Sequence, residues 1–196
     1  MQLANLKTKI LARNYKYYEK IDSTQKEIWR LVENDNIENG TLIIANMQTN
    51  GVGTHGRTWH TDEIGNIAFS MYIQTNCEVS KVEGLTIKIA IILKEILKDK
   101  YNIEVDLKSP NDLMINNKKI GGILTESKIY DKKVKFLVIG IGINTTKMKF
   151  TDDIKDIATS IKKEFNIEID NNYLISEFCN RLEIYLEERI GEILWK

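Results

Sequence analysis

Between residues 103 and 144, four apolar runs follow one another with only short polar breaks: "IEVDLK" (103–108), "LMIN" (113–116), "KIGGILTES" (119–127) and "KVKFLVIGIGIN" (133–144). Each reads as a β-strand, and "NKK" after "LMIN" reads as a hairpin turn. Upstream, "NIAFSMYIQ" (66–74) alternates, with Ile67, Phe69, Met71 and Ile73 on one face, and "TLIIANMQ" (41–48) and "YKYYEKI" (15–21) read as further strands. Helical patterns flank them. "DSTQKEIWRLVEN" (22–34) offers Asp22 or Ser23 as a cap and sets Ile28, Leu31 and Val32 on one face. "GLTIKIAIILKEILKDK" (84–100) is a long, largely buried helix, and Leu174, Phe178, Leu182, Leu186 and Ile190 recur every four residues as an amphipathic one. Clustered strands with flanking helices point to a mixed α/β or α+β layer, the helices packed on one side of the sheet.

The chain has 196 residues, one proline (Pro110) and no internal repeat, which suits one domain over 1–196. Lys+Arg and Asp+Glu both count 28, a balance that argues against a generic polyanion binder, so no nucleic-acid partner is expected. Cys77 and Cys179 are too few for a disulfide framework and read as structural residues in a reduced, cytoplasmic setting. No apolar run reaches the ~18 residues of a membrane span, and "MQLANLKTKI" lacks the apolar stretch of a signal peptide. With only His55 and His60 in the chain, a His-rich metal site is not expected, and His60 reads as a solvated loop residue.

Three clusters stand out against this frame. "QTNGVGTHGRTW" (48–59) places Gly51, Gly53 and Gly56 before Arg57 and Trp59. Glycines let a ligand approach the backbone, successive N–H groups can cup an anion, Arg57 can pair with a carboxylate or phosphate, and Trp59 can stack on a ring. Short glycine motifs have many false positives, and by itself the stretch also reads as a surface turn with a solvated arginine and a core tryptophan. It is neither a phosphate-binding G-K-[ST] loop nor a dinucleotide turn, because the third glycine comes one place late. "KSPNDLMINNKKIGGIL" (108–124) holds Lys108, Asn111, Asp112 and Lys119; Pro110 keeps Ser109 extended and ends the strand, and "SPND" also has the composition of a plain turn. "GIGIN" puts Gly140 and Gly142 on one strand face, leaving a slot where a ring could lie, with Asn144 at the strand end as a donor to whatever fills it.

These residues, in this order, resemble the catalytic domain of the biotin protein ligases. "IDSTQ" (21–25) is similar to that family's opening motif. "QTNGVGTHGRTW" is similar to its GRGRxGRxW loop, "KSPNDL" with "KKIGGIL" to its KWPNDL…K-x-x-GIL segment, and "GIGIN" to its G-x-G-x-N strand. The resemblance spans residues 15 to 146 and continues more weakly beyond. It implies an α+β fold, a mixed, largely antiparallel sheet with helices packed on one side, like class II aminoacyl-tRNA synthetases. The activity it implies is ATP-dependent: biotinyl-5′-adenylate forms first, and biotin then passes to a lysine of a biotin carboxyl carrier protein. Biotin and ATP would be substrates, with Mg²⁺ sharing the work on the phosphates.

By position, the resemblance implies that Ser23, Thr24, Gln48, Gly51, Gly53, Thr54, Gly122, Leu124 and Gly140 bind biotin. Val52, His55, Gly56, Arg57, Trp59, Asn111, Gly142 and Asn144 would meet the nucleotide. Lys119, Arg57 and Asp112 would be catalytic, Lys119 holding the biotin carboxylate and Asp112 also serving Mg²⁺. The chain departs from the family at Val52 and Thr54, where arginine is usual, and at Ser109, where tryptophan is usual. Twenty residues precede "IDST", too few for a DNA-binding helix-turn-helix, and the C-terminal β-barrel common in the family is expected to be absent. Homodimerisation through a sheet edge is common among such proteins. Two other functions stay open. One is a lipoate or octanoate ligase or transferase of the same fold, and the other is a non-catalytic module that binds biotin or adenylate.

Overall fold

A computed structural model describes residues 2–61 and 65–191. The first strand, β1 (Tyr15–Ile21), leads through helix α1 (Thr24–Glu33) into β2 (Leu42–Val52), which lies parallel to it. Ser23 caps α1: its backbone is extended, and its side chain accepts from the Lys26 N–H. Next come β3 (Thr58–Thr61), β4 (Ile67–Glu78), helix α2 (Leu85–Tyr101), β5 (Asp106–Lys108), β6 (Asp112–Ile115), β7 (Lys118–Tyr130) and β8 (Lys133–Ile143). The main sheet runs β1-β2-β4-β8-β7-β6-β5, with β3 paired to β2. Among the named strands of the described residues only β1 and β2 pair in parallel; the other strand pairs are antiparallel, which is the mixed, largely antiparallel sheet the resemblance implied.

The two long hairpins turn on residues that tolerate a left-handed backbone. Asn116 and Asn117 (φ 49° and 61°) join β6 to β7, and Asp131 and Lys132 (50° and 59°) join β7 to β8. The first turn is therefore "NN", one place before the expected "NKK", because Lys118 and Lys119 already belong to β7. The strand expected from residue 103 starts only at Asp106; Ile103 and Val105 are buried without belonging to it.

Alternation along the strands sorts the two faces. Ile67, Phe69, Met71 and Ile73 join Ile139 and Ile141 beneath α2 and the last long helix, α4 (Asn171–Ile190), whose Leu174, Phe178, Leu182, Leu186 and Ile190 are all buried there. A short helix, α3 (Ile161–Phe165), precedes α4. Glu183, an acidic residue buried on α4, accepts the backbone N–H groups of Lys9, Ile10 and Leu11 at 2.6–3.0 Å and so fastens the N-terminal segment to the helix. Contrary to the one-sided expectation, α1 lies on the opposite face. Its Ile28 packs with Ile43, Tyr72 and Val138, the alternate residues of the same strands. Both sheet faces are apolar at this point, so each recruits a helix.

Candidate functional site

On the α1 face the sheet carries small residues beyond the part the helix covers. Ser70 pairs with Gly140, which also pairs with Leu124, and Gly142 lies between Ala68 and Gly122. This floor meets the N-terminal residues of α1, and together they form a first pocket lined by Ser23, Thr24, Gln25, Gln48, Ser70 and the floor. Its polar groups are already ordered. Gln48 Oε1 accepts the Thr24 backbone N–H at 2.8 Å and the Thr24 hydroxyl at 3.1 Å, while Gln48 Nε2 donates to Thr61 Oγ1 at 3.2 Å. Because the Thr24 proton goes to Gln48, the 2.8 Å contact between Thr24 Oγ1 and Ser70 Oγ has Ser70 as donor. Behind Ser23, Asp22 pairs with both terminal nitrogens of Arg30, at 2.7 and 3.0 Å, and these hydrogen bonds pull its carboxyl down to about 2.

The glycine-rich stretch, expected as a loop, is mostly a β-hairpin: Gly51 pairs with Trp59 and Val52 with Thr58, and the tip holds only residues 53–57. A Cβ at Gly51 would sit 2.3 Å from the Trp59 carbonyl oxygen, so the close pairing requires glycine. The hairpin lays the Trp59 indole on the floor, where a Cβ at Gly142 would lie 2.2 Å from it. The slot expected to take a ligand ring is thus filled in part by this chain's own tryptophan, and over Gly140 by Gln25.

Lys119 stands beside Trp59. Its N–H donates to Ile157 O at 2.8 Å and its carbonyl accepts from Thr159 at 2.9 Å, which anchors the backbone. Its ammonium lies 2.6 Å from Asp112 Oδ1, an ion pair without hydrogen-bond alignment, and 5.6 Å from the Trp59 ring centre. Beyond Trp59 opens a second pocket that shares Gly53, Thr54, Trp59 and Lys119 with the first. Its other walls are Arg57, Thr58, His60 and Asn144, then Lys147, Phe150, Ile154, Ile157 and Ala158 from the segment after β8. Lys147 is buried with its ammonium 5.5 Å from the Phe150 ring centre, and Arg57 donates to Thr54 O and Oγ1 at 3.3 and 3.2 Å. Asp153, hydrogen-bonded by Thr151 and near His60 and Lys147, is held below the usual carboxylate range. The two pockets therefore differ in kind. One is a polar, prearranged cup and the other an apolar-walled space with cations, and Lys119 faces both.

Most of the expected residues meet here. Ser23, Thr24, Gln48, Gly53, Thr54, Lys119, Gly122, Leu124 and Gly140 line the first pocket, as do Val52, Trp59, Asn111 and Gly142, which were expected on the nucleotide side. Arg57 and Asn144 line the second. The Asn144 amide donates to Thr159 O at 3.1 Å, so it also braces the segment after β8. Gly51, within the hairpin, lies outside both pockets, as do His55 and Gly56 at its exposed tip. His60, expected in a solvated loop, is in β3 and lines the second pocket. Asp112 pairs with Lys119 and lines neither pocket, and among the described residues no cluster of three or more His, Cys, Asp or Glu offers a metal cage, so a Mg²⁺ at Asp112 would rest on this one carboxylate together with substrate phosphates. Cys77 and Cys179 are buried, and burial pushes the Cys179 thiol up, away from nucleophilic use. Sequence reasoning missed Ser70, Gln25, Lys147 and Phe150. Of these Ser70 left a pattern, as a polar residue inside an apolar strand, and Gln25 stood at the end of the "IDSTQ" motif.

Comparison with known proteins places this architecture. The model of the "Biotin/lipoate A/B protein ligase family" matches residues 17–144. The "Bifunctional ligase/repressor BirA" of Bacillus subtilis is 36% identical over 167 residues, which cover 84% of this chain and 51% of that protein. The "Biotin--[acetyl-CoA-carboxylase] ligase" of Mycobacterium tuberculosis is 27% identical over 148 residues, 74% of this chain and 53% of the relative. The chain thus spans about half the length of these curated relatives. Among solved structures, the biotin protein ligase from Aquifex aeolicus in complex with biotin and ATP is similar with a TM-score of 0.75 and 28% identity, covering 93% of this chain and 74% of that one. From the motif order, the fold and this match across more than half its length, the chain belongs to the biotin/lipoate A/B protein ligase family.

Proposed function

We propose that this chain is a biotin–protein ligase catalytic domain. It joins biotin to ATP as biotinyl-5′-adenylate and then passes biotin to a lysine of a biotin carboxyl carrier domain. The observation that carries the reading is the pair of adjoining pockets with Lys119 between them. The hydrogen-bonded cup of Ser23, Thr24, Gln48 and Ser70 suits a ureido ring, which needs both donors and acceptors. The pocket that holds the cations Arg57 and Lys147, with His60 in its wall, suits a nucleotide, with Phe150 and Trp59 available to its base. A carboxylate oxygen of biotin attacks the α-phosphorus, and the bond to pyrophosphate breaks. The carrier amine then attacks the acyl carbon, loses a proton, and AMP leaves. In the first step two anions must approach, and Lys119 is placed to offset their repulsion and to hold the carboxylate in line. Its present partner, Asp112, keeps the ammonium at that point until a substrate carboxylate competes for it. Mg²⁺ enters this proposal with the triphosphate, as part of the substrate.

Hydrogen-bonding walls favour biotin over lipoate or octanoate, whose rings or chains offer no N–H. Two free, buried cysteines agree with a reducing compartment such as the cytoplasm, and no helix among the described residues is long and apolar enough to cross a membrane. The test is pyrophosphate release from MgATP with biotin, lipoate or octanoate. Biotin-dependent release that Lys119→Ala abolishes supports the ligase. Release driven only by octanoate or lipoate reverses the choice, and biotin binding without release points to a non-catalytic module.

A further inference from the structure

Three buried polar atoms that find no partner among the described residues belong to the wall of one further cavity: Asn66 Nδ2, Asn171 Oδ1 and Asn172 Oδ1. The cavity lies between β1, β2, β4 and the first turns of α4, has a volume of about 240 Å³ and shares no lining residue with either pocket above. Tyr17, Ile44, Ile67 and Ile175 give it apolar walls. Asn66 is only 6% exposed. Its Oδ1 accepts the backbone N–H groups of Thr146 at 3.1 Å and Lys147 at 3.3 Å, so turning the amide over would set its NH2 against two donors. Asn171 is fixed in the opposite sense, because its Nδ2 donates to the Gly65 carbonyl and leaves Oδ1 without a donor. Asn172 Oδ1 adds a second such oxygen. The fourth asparagine of the wall, Asn46, has both ends engaged, Nδ2 with Glu19 Oε2 at 3.1 Å and Oδ1 with the Gly65 N–H at 3.4 Å. One donor and two acceptors are thus buried with nothing to bond, and native interiors rarely keep such groups without a reason.

The described residues that line the cavity carry no charge. An anion would meet two carbonyl oxygens for one donor, and a cation would meet the Asn66 NH2. A neutral group that is donor and acceptor at once suits both. We propose that this cavity is a binding site for a small neutral amide, whose carbonyl accepts from Asn66 Nδ2, whose NH2 donates to Asn171 and Asn172 Oδ1, and whose ring or chain lies on the apolar walls. The volume is below the ~300–1,000 Å³ of drug-sized sites, which limits the occupant to about one ring. Asn66 joins this site to the segment after β8: the amide that would bond the occupant also holds the N–H groups of Thr146 and Lys147, and Lys147 walls the second pocket.

The test is a titration of the ¹⁵N-labelled chain with benzamide, followed by nuclear magnetic resonance, with benzoate and benzamidine as an anion and a cation of similar shape. Benzamide is expected to give saturable shifts of the Asn66 and Asn171 side-chain NH2 signals and of the Thr146 and Lys147 backbone N–H signals. It should bind at least about tenfold more tightly than either charged analogue, the worth of one buried hydrogen bond. Asn172→Leu, which removes one acceptor, should lower benzamide affinity about tenfold, and its melting temperature should not fall, since the oxygen it loses is unpaired. Shifts that stay linear up to the solubility limit mean a cavity for water only and overturn the inference. So do benzoate binding as tight as benzamide and saturable shifts confined to the first pocket. Should Asn172→Leu not fold, wild type decides by the preference for the amide and the place of the shifts. Every readout is binding without ATP, so it stands or falls apart from the ligase reading.

Discussion

The first pocket is built from regular elements and the second largely from connections. Ser23, Thr24 and Gln25 stand at the capped start of α1, Gln48 on β2, Ser70 on β4 and the glycine floor on β7 and β8. Each position is fixed by helix or ladder hydrogen bonds, and the side chains then bond to one another. The second pocket takes its walls from the 53–57 hairpin tip and from residues 144–158, tied to the strands at Asn144, Lys119 and Thr159. Under the proposed function the difference follows from what each would hold. A neutral heterocycle is recognised by the direction of a few hydrogen bonds, which demands rigid supports. A polyanion is attracted by charge, whose energy varies more gently with angle, so cations on a less regular frame suffice.

That contrast is easiest to break at the residue the pockets share. Lys119→Ala should lower biotin-dependent pyrophosphate release about 100- to 1000-fold, the scale for removing a group that stabilises developing charge. If only one substrate's KM moved and kcat held, Lys119 would belong to one pocket rather than both. Thr24→Val keeps the volume but removes the hydroxyl that links Gln48 to Ser70. Calorimetry should show biotin binding weakened roughly 10- to 100-fold with ATP binding unchanged, and an equal loss for ATP would mean the pockets are not separable. Lys147→Met is the converse. The KM for ATP should rise about tenfold, as expected for one cation of several, while biotin affinity stays. A shift in biotin affinity alone would remove Lys147 from the nucleotide side.

The same contrast explains what could be read from the sequence. Period-two and period-four apolar patterns located the strands around Phe69 and Ile139 and the helix from Leu174 to Ile190, because burial on one face imposes those periods. Thr24, Gln48, Lys119 and Gly142 were legible because their motifs carry unusual residues, and a glycine such as Gly142 is needed wherever an indole must lie against a strand. The hairpin within 48–61 was not legible: three glycines lower strand propensity, and only the pairing of Gln48, Gly51 and Val52 with Thr61, Trp59 and Thr58 makes a strand of it. Lys147 and Phe150 left no pattern, since a coil that lines a pocket has no period. The side of α1 was also hidden, because strands with apolar residues on both faces give the sequence no sign of which face takes which helix.

The smallest expected effect lies at the base of the first pocket. Asp22 supports it twice: its carbonyl accepts the Asn50 N–H at 2.8 Å, joining the start of α1 to β2, and its carboxylate holds Arg30. The hydrogen bonds from Arg30 bring the Asp22 carboxyl down to about 2, from an unfolded value of about 4. A carboxyl depressed on folding adds stability above its unfolded pKa and loses it as pH falls through the folded one, so the contribution should be complete at neutral pH and fade between about 4 and 2. Both partners are well exposed, at 45% and 37%, and water screens them, which limits the pair to about 0.5–1 kcal/mol. Asp22→Asn should therefore melt slightly below wild type at pH 7, with the gap closing near pH 2. The variant should weaken biotin binding by no more than a few-fold and leave ATP binding alone. A gap that survived at pH 2 would mean that Asp22 acts through shape and not charge. A loss shared equally by ATP would mean that the α1 end supports both pockets, against the separation argued above.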